Sequence, residues 1–210
     1  MNLWNRLDDL HARFNVLEHP FYQRWSAGEL SRADLATYAG EYRHAVVALA
    51  DASARAADAA PDPAVREQLS GHASEEAAHV ELWDAFATSV GADLDREPAP
   101  ETAACAAAWA GQDRDFSGHL AALFAIESAQ PPIAATKAAG LREHYGFPTG
   151  PATVYFDVHE KRDIEHAAEG RELLERHATE ADAERLAGEA ERVLRANWAL
   201  LDGVERVLGR

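Results

Sequence analysis

Apolar residues recur at three- and four-residue spacing along almost the whole chain. Leu3, Leu7, Leu10, Phe14 and Leu17 form the first such stripe, which His19-Pro20 interrupts before Phe21 to Trp25 make another short helical turn. Gly28 ends that turn, and Ser31 stands where its hydroxyl caps a long helix from about Arg32 to about Ala59. Leu35, Tyr38, Tyr42, Val46 and Leu49 trace the buried face, and Pro61 and Pro63 stop the helix. A second long helix follows from Pro63 to about Val90, with Val65, Leu69, Leu82 and Phe86 as core and Gly91 at its end.

After a loop from Asp93 to Pro100, a short alanine-rich helix is expected over Glu101 to Ala110. Ser117 is the expected cap of the next helix, where Leu120, Leu123, Phe124 and Ile126 are apolar; Pro131-Pro132 must kink or break it before it resumes to Tyr145 and Gly146. Thr149 to Pro151 opens a helix reaching about His177, and Thr179 caps a last one along which Leu186, Val193, Leu194, Trp198, Leu201, Val204 and Leu208 form a continuous stripe. No strand pattern is present, so the predicted fold is an all-α bundle of about seven helices in a single domain over residues 1–210.

The chain is 47% hydrophobic and 27% charged, ordinary for a globular protein long enough to bury a core without disulfides. Its net charge is −16 and its basic residues are scattered among acids, which argues against a nucleic-acid partner, since phosphate contacts need a basic stripe. No apolar run reaches the roughly 20 residues of a membrane span, and Met1-Asn2-Leu3-Trp4 does not open a signal peptide, so no membrane partner and a cytoplasmic location are expected. Cys105 is the single cysteine, which excludes an intrachain disulfide and a zinc-thiolate cluster and leaves a small buried side chain as its expected role.

The chemistry concentrates in Tyr155 to His166. At about 100° per residue, His159, Asp163 and His166 fall within a wedge of roughly 60° on one helix face, so two imidazoles and a carboxylate converge. That donor set suits iron, zinc or manganese better than calcium or magnesium. His72, Glu76 and His79 repeat the spacing on the second long helix, with Glu75 at the edge of the same face as a second candidate glutamate. Solvated surface histidines in an acidic chain would account for the carboxylates but not for the repeated register. Glu127 interrupts the apolar run of the central helix, where a carboxylate is costly unless paired or bound to a cation. Glu41 and His44, beside Tyr38 and Tyr42, either line a pocket facing these stripes or form an exposed pair at the helix edge.

Nearly the whole chain resembles the haem-oxygenase-like diiron oxidases, a branch of the fold shared with thiaminase II and the pyrroloquinoline quinone synthases. The resemblance runs through His19-Pro20-Phe21-Tyr22, Gly28-Glu29-Leu30, the Tyr38 to His44 helix, His79-Val80-Glu81-Leu82-Trp83 and, most specifically, Tyr155 to His166. It implies iron ligation by His159, Asp163 and His166, by His79 and by Glu127 as a bridge. The departure lies at position 72, where many members carry glutamate and others carry a glutamate three residues before the histidine that matches His79; here those positions are His72 and Glu76. The central helix reads Glu127-Ser128-Ala129-Gln130 and lacks the cysteine nucleophile of a thiaminase. A haem site is disfavoured, since one proximal histidine would suffice for it.

What the resemblance implies is a non-haem oxidase or oxygenase holding two Fe(II) ions, with O2 as co-substrate. The expected substrate is a small amine, amino acid or fatty acid of a specialised biosynthetic pathway, and the outcome N-oxygenation, desaturation or C–C cleavage. Tyr38, Glu41, Tyr42, His44 and Gln130 are expected to shape the substrate side, with Glu41, Tyr42 and His44 as the catalytic candidates. An external electron donor and a homodimer are compatible with this reading. The alternatives are a metal-free oxidase of the pyrroloquinoline quinone synthase kind and a non-catalytic helical protein that binds a metal or a partner.

Overall fold

The computed structural model describes residues 2–210, and every regular element among them is helical. In chain order these are α1 (Leu3–Arg13), α2 (Pro20–Ala27), α3 (Arg32–Asp58), α4 (Pro63–Val90), α5 (Pro100–Ala110), α6 (Phe116–Glu127), α7 (Gln130–Glu143), α8 (Val154–His177) and α9 (Ala183–Val207). Two 3-10 turns, Val16–Glu18 and Glu180–Asp182, precede α2 and α9. The expected seven or so helices become nine segments because α2 is a helix of its own and the central helix is cut in two.

The long helices begin and end where side chains satisfy free backbone groups. Ser31 and Asp34 form a reciprocal capping box at the start of α3, with Oγ accepting from the Asp34 N–H at 3.2 Å and the Asp34 carboxylate accepting from the Ser31 N–H at 2.9 Å. Asp62 caps α4, Pro63 fills its first position, and Gly91 closes it with φ 84°. Three expected starts differ. Asp115 caps α6 by accepting from the Gly118 N–H at 2.8 Å, while Ser117 lies one residue inside and donates to the His177 carbonyl at 3.3 Å. Helix α8 begins at Val154, because Thr153 closes a turn onto Gly150 before the helix can run. Thr179 caps the 3-10 turn through Asp182, and α9 continues from it.

The break between α6 and α7 places the centre of the molecule. Pro131 and Pro132 sit in the first turn of α7, where a missing N–H leaves nothing unpaired. At the end of α6 the Phe124 carbonyl keeps the Ser128 N–H at 3.0 Å and gains the Ser128 hydroxyl, and His11 Nε2 reaches over from α1 to the Ala125 carbonyl at 2.9 Å. All of α6 from Gly118 to Glu127 is buried. It lies against α3, α8 and α9, so the carboxylate of Glu127 ends in the interior.

Helix α8 also packs on α7 and α4, and α3 on α4 and α5. At Gly140 a Cβ would lie 2.6 Å from Trp25 Nε1; the bare backbone lets α2 close on α7, where Trp25 Nε1 donates to the Lys137 carbonyl at 3.3 Å.

Candidate metal centre

Helices α4 and α8 face each other with their two ligand stripes inward. Glu76, His79, His159, Asp163 and His166 are all buried, and the side chain of His72 is 9% exposed. Glu76 stands at the middle. Its Oε1 lies 3.2 Å from His79 Nδ1, 3.7 Å from His166 Nδ1 and 3.8 Å from His72 Nε2, and its Oε2 lies 4.0 Å from His159 Nε2. Two sets of ligand atoms result, His72 with Glu76 and His166, and Glu76 with His79 and His159; within each the atoms lie within 4.8 Å of one another. From α6, Glu127 Oε1 comes to 3.0 Å of His72 Nε2. The structure thus brings all seven expected ligands together and places both His72 and Glu76 inside. The residue common to both sets is Glu76, whereas Glu127, the expected bridge, reaches the cluster on the His72 side because it projects from the last residue of α6.

The ring orientations follow from what holds the outer nitrogens. His159 Nδ1 donates to the Tyr155 carbonyl at 2.7 Å, one helical turn back, which leaves Nε2 directed inward. His166 presents Nδ1, because its Nε2 pairs with Glu75 Oε2 at 3.3 Å. Glu75 is in turn gripped by Arg162 through two hydrogen bonds of 2.6 and 2.7 Å. The two candidate glutamates of α4 therefore divide: Glu76 faces the cluster, and Glu75 lies at the surface and orients His166.

Whether these residues fit a metal is answered by the atoms they leave unpaired. His159 Nε2, His166 Nδ1 and both carboxylate oxygens of Asp163 are buried without a hydrogen-bond partner, and His72 Nε2 and Glu127 Oε1 face only each other, 3.0 Å apart. Buried polar atoms are rarely left so, and here they converge on one place from three helices. A donor set of imidazole nitrogen and carboxylate oxygen suits a divalent transition metal. The charges agree. Burial opposes ionisation of Glu76, but the side chains of His159 and His79 outweigh it and hold its carboxyl well below the usual range. Burial raises the Glu127 carboxyl, and His72, against its own burial, is pushed up to about 9 by Glu127.

A cage of aromatic rings adjoins the cluster. Tyr155 stacks on His159 with ring centroids 4.0 Å apart, and Trp83 packs on Tyr155 at 4.9 Å and on Tyr42 at 5.2 Å. Tyr38 and Tyr22 share a hydrogen bond of 2.8 Å between their hydroxyls. Within the cage lies the fully buried Lys137, its Nζ 4.7 Å from the Tyr42 ring centroid, 5.2 Å from Tyr22 and 5.5 Å from Phe156. Burial lowers the Lys137 ammonium to about 7, so the amine changes charge near neutrality. Sequence reasoning missed this residue. Its signal was present: Lys137 falls in register with Ile133, Ala134, Ala138 and Leu141, a stripe that is otherwise apolar.

The catalytic candidates of α3 separate. Tyr42 belongs to the cage, its ring centroid 5.3 Å from that of Tyr38 and 5.2 Å from that of Trp83. Glu41 and His44 do not reach it. Both carboxylate oxygens of Glu41 are taken, one by Arg96 Nε at 2.7 Å and the other by Thr102 Oγ1 at 2.6 Å and the Ala99 N–H at 3.0 Å. His44 Nε2 pairs with the Arg96 carbonyl at 2.9 Å. The 93–102 segment folds over this side of α3, so these two residues anchor a loop. Cys105 is buried and burial raises its thiol pKa, which leaves it inert as expected.

The model of a family described as iron-containing redox enzymes matches residues 37–198, a span that includes every residue of the cluster. The chain belongs to this family. It is 30% identical over 213 residues to a 4-aminobenzoate synthase of Chlamydia muridarum, covering 96% of this chain and 89% of the relative. A 4-aminobenzoate synthase of Nitrosomonas europaea is 31% identical over 220 residues, at 95% and 89% coverage. Among solved structures, a TenA homologue from Pseudomonas syringae pv. tomato superposes with a TM-score of 0.82 at 20% identity, covering 97% of this chain and 91% of that one. That likeness bears on the fold, which is the expected haem-oxygenase-like helical bundle. Among the described residues no helix is long and apolar enough to cross a membrane.

Proposed function

We propose that this protein is an iron-dependent oxidase that uses O2 and whose product is 4-aminobenzoate or a close aromatic amine. The observation that carries the metal part is the set of unpaired buried donors around Glu76. A metal-free oxidase would have to leave His159 Nε2, His166 Nδ1 and the Asp163 carboxylate oxygens unsatisfied, at a cost of about 1–3 kcal/mol each. The product class rests on the name shared by the full-length relatives.

His72, Glu76 and His166 would hold one ion and Glu76, His79 and His159 the other, with Asp163 and Glu127 completing the donor set. Bound iron would supply the electrons that activate O2. The protein's own part is positional. Glu75 and the Tyr155 carbonyl fix the rotation of two imidazoles. The rings of Trp83, Tyr155 and Phe156 keep water from the reacting region. Lys137 Nζ, with a pKa of about 7, is the group in the cage able to take up or release a proton at neutral pH.

Expression in a bacterial strain that requires 4-aminobenzoate tests the reading. Growth without the supplement, dependent on iron and lost with Asp163→Ala, is expected. No growth from a well-expressed, iron-loaded chain would exclude this product.

A further inference from the structure

Next to the cage, the break between α6 and α7 forms the floor of a cleft that the metal chemistry leaves unused. It holds about 340 Å³ and is walled by Phe14, Leu17, Ile133 and Leu194. That is room for a single-ring compound. Ser128 and Ala129 line it, and they follow Glu127 directly in the chain, so the backbone of the break is what separates the cleft from the cluster.

The polar groups of the cleft are unevenly placed. Asn197, 7% exposed, lines it, and its Oδ1 is buried without a hydrogen-bond partner. A buried carbonyl oxygen with no donor calls for a ligand N–H or O–H. No lysine or arginine lines the cleft among the described residues. Positive charge gathers instead about Phe14, whose ring carries Arg13 at 5.1 Å and Arg195 at 5.4 Å. Both guanidiniums pair with the single carboxylate of Glu191, which leaves one net positive charge, and their side chains are 64% and 59% exposed.

We infer that this cleft is a binding site for a single aromatic ring with a hydrogen-bond donor at one end and an anionic group at the other, the aminobenzoate class. The ring amine would donate to Asn197 Oδ1, the ring would lie between Ile133 and Leu194, and the carboxylate would face Arg13 and Arg195. The choice of an aminobenzoate rests on the function proposed above. The site itself rests on the cleft, the unpaired amide oxygen and the two arginines.

Ligand-observed NMR with the full chain tests it, using 4-aminobenzoate, benzoate and aniline as probes on metal-free and iron-loaded protein. Wild type should bind 4-aminobenzoate more tightly than either fragment, and Ile133→Trp, which fills the cleft, should bind none of the three. Asn197→Leu should weaken 4-aminobenzoate about tenfold and leave benzoate unchanged, the scale of one lost hydrogen bond. The surface pair Arg13→Gln/Arg195→Gln should weaken 4-aminobenzoate and benzoate and leave aniline unchanged. No binding of 4-aminobenzoate by wild type, or equal affinity in wild type and the arginine pair, would overturn the proposal. Failure to bind iron with cleft binding intact would count against the oxidase alone.

Discussion

Glu75 and His166 meet across the α4–α8 seam, with Oε2 3.3 Å from Nε2. This contact joins a carboxylate at the surface to an imidazole in the interior and decides which nitrogen of His166 faces Glu76. Glu75→Ala should therefore weaken metal binding about 10- to 100-fold, the usual scale for losing such a support. Glu75→Gln, which can still accept a hydrogen bond, should recover most of it. Isothermal titration of the metal separates the two variants, and equal affinities in wild type and Glu75→Ala would show that the ring is held by packing alone.

A second outcome follows from the place of Glu76 in both ligand sets. Glu76→Ala should lose both metals, whereas His72→Ala should lose one, since His72 enters a single set. His72→Glu should keep two and alter the spectrum of the oxidised centre, because an anionic carboxylate favours the ferric state more than a neutral imidazole does. Metal analysis of the three purified variants decides this; one metal retained by Glu76→Ala would contradict the shared position.

Asp163→Ala and His166→Ala should abolish oxidation while the helical content stays close to wild type. The stripe serves the cluster, and the apolar faces of α8 carry the packing. Circular dichroism beside oxygen-uptake measurements checks both halves of the statement, and full activity in either variant would remove the signature from the chemistry.

Lys137 makes stability depend on pH with a defined sign. Its folded pKa is about 7 against 10.5 for the free side chain, so between those values the unfolded chain binds more protons and the folded state gains as pH rises. The penalty of burying an ammonium is fully present below pH 7 and has gone by about pH 10.5. Lys137→Met should be more stable than wild type at pH 6, by a few kcal/mol on the order expected for a buried lysine, with the difference shrinking toward pH 10. Comparing the two proteins at each pH removes the contribution of the buried tyrosines, and parallel urea midpoints from pH 6 to 10 would refute the shift.

Much of this architecture was legible in the residues. The start of α3 is written as Ser31 and the two ends of α4 as Pro63 and Gly91, all local signals. The ligand stripes were legible because period and residue type coincide. Glu41 and His44 were misplaced for a different reason: the helical period tells which face they share but not that Arg96, Ala99 and Thr102 will fold over it. The division between Glu75 and Glu76 was likewise out of reach, since it depends on Arg162 coming across from α8. Lys137 stayed hidden because a lysine on an apolar stripe ordinarily extends its stem to solvent, and here five rings close over it.

The anchoring role of Glu41 gives a further outcome. Glu41→Ala would strand Thr102 Oγ1 and the Ala99 N–H and unpair Arg96, at a cost of about 3 kcal/mol in stability. Metal stoichiometry should be unchanged, because none of these groups touches the cluster. A thermal melt alongside metal analysis tests it, and loss of iron at unchanged stability would return Glu41 to the active site.

The central claim is that the donors around Glu76 hold two irons that react with oxygen. Anaerobic titration of metal-free protein with Fe(II), followed by admission of oxygen, measures this directly. Saturation close to two irons per chain and oxygen consumption that disappears in Asp163→Ala are the predicted results. No iron bound, or zinc bound with no oxygen taken up, would contradict the account.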